Sequence, residues 1–175
     1  MHKKLLSIDQ NRIAICGLFS LAFLYFVFGV IQGNIFASAD TLQLSALLQT
    51  DGISGRQTTQ YDIVRENIPW AKLAHDAIRG FDLPLWNRFQ GLGAPLLGNG
   101  QSAVLFPANW GYIFSGSPQM IFVAHFLKLL TASIGAFAFF RYLGLSNIPA
   151  VFGAIAFSYS GSIIGWMYWA QSNTL

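Results

Sequence analysis

Ile13–Phe36, IAICGLFSLAFLYFVFGVIQGNIF, runs 24 residues without a charged side chain. As a helix it crosses the roughly 30 Å hydrocarbon core of a bilayer with every backbone polar group satisfied internally. The composition around it agrees. Hydrophobic residues make up 54% of the chain and charged residues 10%, whereas soluble domains carry about 25% charged residues. Sixteen Phe and five Trp fit a chain whose aromatics fill a bilayer core and its interfaces. The net charge of +3 is scattered and small, which argues against a nucleic-acid partner. Cys16 is the single cysteine and lies within the apolar run, so no disulfide framework exists.

Working outward, Met1–Arg12 carries Lys3, Lys4 and Arg12, and this basic start places the N-terminus in the cytoplasm. Ala37-Ser38-Ala39 resembles a signal-peptidase site. The apolar run is nevertheless longer than the roughly 7–15 residues of a signal-peptide core, so an uncleaved anchor is expected. Met120–Phe140 reads as a second span, closed by Arg141 on the cytoplasmic side. A connection over 141–147 leads to a third span over 148–169, dense in small residues such as Gly153, Ala154, Ser158, Gly161 and Gly165. Such residues let helix backbones approach closely in lipid, and a helix built that way needs neighbours. The expectation is an all-α transmembrane fold with three spans. Residues 170–175 then lie outside, and the chain is the N-terminal portion of a larger protein.

The non-spanning segment, 37–119, is expected outside the cytoplasm. Thr41–Gln60 shows no clear period. A short amphipathic helix is expected over about 69–79, with Pro69 at its start and Gly80 at its stop. Trp70, Leu73, Ala74, Ala77 and Ile78 fall on one face, with Lys72, Asp76 and Arg79 on the other. It either lies along the bilayer surface or packs on its own loop. Asp82–Trp110, DLPLWNRFQGLGAPLLGNGQSAVLFPANW, is broken by Gly and Pro into tight turns, yet carries large apolar side chains that must be buried.

Soluble-enzyme motifs are absent. Gly91-Leu92-Gly93 begins like a dinucleotide loop, but Leu96 stands at the third glycine position. No P-loop or Gly-x-Ser-x-Gly elbow occurs, and His2, His75 and His125 are too dispersed to suggest a metal cluster. Carboxylates remain: Asp40 at the end of the first span, then Asp62 and Glu66 before the surface helix. A carboxylate held at the membrane surface can deprotonate an acceptor hydroxyl; solvated loop charges are the plainer reading. Within the second span, His125 and Lys128 are three apart and share a face. A charge at that depth normally meets a polar cavity or a partner. It is read either as a counter-ion for a carrier-lipid phosphate or as one half of an ion pair with another helix.

The series Asp62 … Pro69-Trp70 … Gly80 … Leu83-Pro84-Leu85-Trp86-Asn87 … Gly93-x-Pro95-Leu96-Leu97-x-Asn99-x-Gln101-Ser102-Ala103 … Pro107-x-Asn109 resembles the first outer loop of YfhO-like bacterial membrane proteins. Arg141-Tyr142-Leu143-Gly144-Leu145-Ser146 and the later Ser160-Gly161 resemble the next segment of that family. The resemblance implies a polytopic protein of the bacterial cytoplasmic membrane, similar to GT-C glycosyltransferases. These take a sugar from a polyprenyl-phosphate carrier, on the outer face, to a cell-envelope acceptor. It implies Asp62, and after it Asp40, as the catalytic base. Lys128 with His125, and Arg65 or Arg88, are then candidates to hold phosphate, and Asn87, Asn99 and Gln101 to contact sugar or phosphate. A lipid-linked sugar is the donor; no metal ligand set is implied, and a divalent ion is left open. The chain departs from the pattern at Asn87-Arg88-Phe89, where Asn-Pro-aromatic is expected, and at Gly98, where Ala is usual. The competing class is a transporter or envelope-assembly subunit whose outer loop binds a partner.

Overall fold

The computed structural model describes residues 2–34 and 62–167. Helix α1 runs His2–Ile31 over 30 residues, about 45 Å at ~1.5 Å per residue. It starts earlier and stops sooner than the apolar run suggested. Gly33, at φ +68°, ends it by closing two bonds, Gly33 N–H to Val30 O at 3.1 Å and Asn34 N–H to Gly29 O at 3.0 Å. These are the paired bonds of a left-handed helix cap, which glycine accepts without a Cβ penalty.

A π-helical turn, Ile63–Asn67, leads into α2, Ile68–Arg79. Next come a two-residue antiparallel pairing of β1 (Trp86–Asn87) with β2 (Ala94–Pro95), 3₁₀ turns at Gly100–Ser102 and Pro107–Asn109, and α3, Trp110–Ser115. The hairpin has only two residues in each strand. Gly93 allows it: a Cβ there would stand 2.4 Å from the Trp86 indole nitrogen, which lies across the turn.

Helix α4, Met120–Tyr142, ends in another left-handed cap at Gly144 and turns through a short connection into α5, Asn147–Ser158. The expected third span is not one straight helix. Tyr159 and Ser160 break it, α6 restarts at Gly161–Met167, and the two axes are bent by 43°. The Ser160 hydroxyl accepts from Ile163 N–H at 3.4 Å, a serine capping the new helix. Helices α1 and α4 are long and apolar enough to cross a membrane, and the bent α5–α6 pair makes a third such element if counted as one.

These elements pack through close helix approaches. Gly153 has no side chain where a Cβ would meet the Phe140 ring at 2.7 Å, and Ala150, Ala154 and Ser158 present a fully buried small-residue row on α5. Leu18 of α1 and Phe137 of α4 join that row. Further along α1, Ala22 and Phe26 pack with Phe122 and Leu129 of α4 and with Met167. Close approach of small residues is what holds helices together where lipid is as apolar as the side chains. Ile13, Leu24, Phe28 and Ile31 remain exposed on α1.

The segment between α1 and α4 has its own core of Trp70, Ala74, Leu96, Val104 and Ile113. Helix α2 packs on its own loop through this core. Phe106 and the turn after it lie against the first turns of α4, where the Lys128 ammonium is 5.2 Å from the Phe106 ring centroid.

Candidate functional site

Asp62 opens the π-turn, in which Ile68 N–H reaches back to Ile63 O. One residue more than an α-turn fits into this loop, a geometry that recurs at functional sites because it re-aims side chains. Here it turns Asn67 inward while Asp62 and Arg65 stay exposed. Pro69 follows at the start of α2, where its missing N–H removes no helical bond.

Across from the π-turn, the β1–β2 hairpin supplies the facing wall. Asn87 is buried; its side-chain oxygen accepts from Phe89 N–H at 3.0 Å, and its amide donates to Gln90 Oε1 at 3.3 Å. Gln90 Oε1 also accepts from the Trp70 indole at 3.2 Å, which ties the hairpin to α2. Between the two walls lies an open cleft of about 680 Å³, lined among others by Asp62, Arg65, Glu66, Lys72, Asn87 and Gln90. Its volume falls in the roughly 300–1,000 Å³ range of small-molecule sites. It offers carboxylates, cations and amides side by side, with Phe89 as an apolar wall.

The cleft thus joins three of the expected site residues, Asp62, Arg65 and Asn87, and separates them from the others. Arg88 turns to the opposite side of Phe89, with its guanidinium 5.2 Å from that ring, and lines a second cleft with Asp76 and Asp82. Asn99 lines a groove with Leu105 and Phe106, and its side-chain oxygen caps a 3₁₀ turn by accepting from Gln101 N–H at 3.1 Å. The exposed Gln101 uses its backbone carbonyl to accept from the Asn67 amide at 3.1 Å. Lys128 sits beside Phe106, and His125 is 1% exposed and lines a small cavity under the π-turn. Asp40 lies outside the described residues. Among those described, no cluster of three His, Cys, Asp or Glu is placed to hold a metal ion.

Lys72 and Gln90 are cleft residues that the sequence did not single out. Lys72 forms an i,i+4 ion pair with Asp76, and that hydrogen bond holds the Asp76 carboxyl below its ordinary value. Gln90 carried no signal beyond lying three residues after Asn87. His75, next to Asp76 on α2, is 6% exposed, and its Nδ1 lies 2.7 Å from the Ile113 carbonyl. A carbonyl only accepts, so Nδ1 carries the proton.

The chain matches no protein-family model, no curated protein and no solved structure.

Proposed function

We propose that this chain belongs to a YfhO-like, GT-C-like membrane glycosyltransferase, and that the cleft between the π-turn and the hairpin is its reaction site on the outer face of the bacterial cytoplasmic membrane. The observation that carries the reading is that the hairpin brings Asn87 to the same cleft as Asp62 and Arg65 of the π-turn. The motif resemblance supplies the reaction class.

In this reading a polyprenyl-phosphate sugar is the donor and a hydroxyl of a cell-envelope molecule the acceptor. The Asp62 carboxylate takes the acceptor proton as its oxygen attacks the anomeric carbon. The bond from that carbon to the phosphate oxygen breaks with the electron pair leaving on phosphate, so the carrier departs as polyprenyl phosphate. Arg65 offers that phosphate a planar, bidentate donor set, and Lys72 adds a second cation at the cleft wall. Gln90 and Asn87 are the amide contacts for sugar hydroxyls. Lys128, next to Phe106, holds the carrier phosphate before it reaches the cleft.

The test is Asp62→Asn in the whole gene, measuring transfer of labelled sugar from polyprenyl phosphate to envelope material in inverted and right-side-out vesicles. A lost general base costs roughly 10²–10⁴ in rate. Transfer that survives both Asp62→Asn and Asp40→Asn, while deletion of the gene abolishes it, overturns the carboxylate-base mechanism.

A further inference from the structure

Beneath the π-turn lies a small cavity of about 30 Å³, whose wall includes Asn67, Ser102, Asn109, Tyr112, Ala124 and His125. A water needs only about 10–15 Å³ of such space, together with two or more polar partners. Asn67 is 8% exposed, and its Oδ1 has no hydrogen-bond partner among the described residues. Exchanging the amide's oxygen and nitrogen does not cure this, because Nδ2 already donates to the Gln101 carbonyl, which only accepts.

The hydroxyls of the wall have no hydrogen left for Oδ1. The Tyr112 hydroxyl gives its hydrogen to Ile68 O at 3.2 Å, and the Ser102 hydroxyl lies 2.7 Å from the carbonyls of both Leu96 and Asn99. Asn109 directs its amide to Ala103 O at 3.3 Å. The two hydroxyl hydrogens and one of the two Asn109 amide hydrogens are committed elsewhere, while the lone pairs of the hydroxyls stay available as acceptors. We infer that a single water molecule occupies this cavity, donating one hydrogen to Asn67 Oδ1 and the other to the Tyr112 or Ser102 hydroxyl oxygen. It joins the π-turn that carries Asp62 and Arg65 to α3 or to the 3₁₀ turn at Gly100–Ser102, and it is independent of what the cleft transfers.

The experiment is hydroxyl-radical labelling by synchrotron X-rays of the chain in lipid nanodiscs, read residue by residue by mass spectrometry. Radicals arise from water in place, so a buried tyrosine beside a bound water is labelled despite its burial. Tyr112, 5% exposed, is expected to label alongside the exposed Tyr142. Ala124→Val fills the cavity from α4 without removing a polar group, and Asn67→Leu removes the acceptor. Each is expected to abolish the Tyr112 label and leave that of Tyr142 unchanged. A Tyr112 that stays unlabelled in the unmodified chain shows a dry cavity and overturns the inference, whether or not Asn67→Leu folds. So does a label that persists in Ala124→Val.

Discussion

Ser133 on α4 and Ser158 on α5 meet with their hydroxyl oxygens 2.9 Å apart, both fully shielded from solvent. Each also lies within 2.8 Å of the carbonyl four residues back in its own helix, Leu129 O and Ala154 O. With one proton apiece, one hydroxyl bonds its own carbonyl while the other donates across the helix pair. Removing the contact therefore leaves neither partner without an alternative. Ser133→Ala is expected to cost about 0.6 kcal/mol, the average for such bonds between membrane helices. The double variant with Ser158→Ala is expected to cost little more than either single one. Ser158→Leu, which overpacks a filled contact, is expected to cost about 1–3 kcal/mol. Unfolding in increasing dodecyl sulfate measures all three. A double variant whose cost is the sum of the singles refutes the shared bond.

The C-terminus of α2 presents an opportunity for stabilisation. Phe81 N–H bonds Ile78 O at 3.0 Å and Asp82 N–H bonds Ala77 O at 2.9 Å, the two bonds of a left-handed cap. The residue at the left-handed position is Phe81, at φ +57°, and its side chain is fully exposed. An L-residue there costs about 1–2 kcal/mol that glycine avoids. Phe81→Gly is expected to raise stability by about 1 kcal/mol, read as a higher melting temperature in detergent. A lower one shows that the Phe81 ring makes a contact worth more than the strain.

Part of this could be read from the residues in order. Long apolar runs located α1 and α4, and Pro69 with Gly80 bracketed α2 within a residue. What could not be read depends on contacts distant in sequence or on where a helix happens to run out of bonds. Gly80 precedes Phe81, and composition favours the glycine as the left-handed residue, yet the cap closes one position later. His75 fell on the polar side of α2 by periodicity, and only the approach of Ile113 and Gly116 explains its burial. Asp62 and Asn87 each stood out alone, but nothing local said that the hairpin folds back to face the π-turn. In the same way, Gly161 counts as a small packing residue in a single span, although a serine before it also restarts a helix.

Tyr112 gives α3 a pH dependence whose sign follows from its surroundings. Burial, and then the Asp76 carboxylate, raise its phenol above the ordinary 10.0. The folded state therefore holds the proton more tightly than the unfolded state does. The stability linked to it is fully present below about pH 10 and is lost as pH rises through the folded pKa. Tyr112→Phe is expected to remove this alkaline step. It is also expected to cost about 0.5–1.5 kcal/mol at neutral pH for the lost bond to Ile68 O. Melting temperature against pH for the two proteins checks both. An alkaline decline of unchanged depth in Tyr112→Phe assigns that decline to another group.

Gly116 and Gly144 allow a controlled comparison of backbone strain with packing. Both have positive φ, +70° and +88°. A Cβ on Gly144 meets nothing within 4 Å, whereas one on Gly116 would stand 2.7 Å from the His75 ring. Gly144→Ala is thus expected to cost only the left-handed penalty, about 1–2 kcal/mol. Gly116→Ala must also displace the imidazole whose Nδ1–H bonds Ile113 O at 2.7 Å. With that buried bond broken, its total cost is expected at about 2–4 kcal/mol. In a His75→Ala background the excess should vanish, because the ring is no longer there to be moved. A double-mutant cycle measures that coupling directly. A Gly116→Ala cost that is unchanged by His75→Ala shows that the substitution acts through the backbone alone.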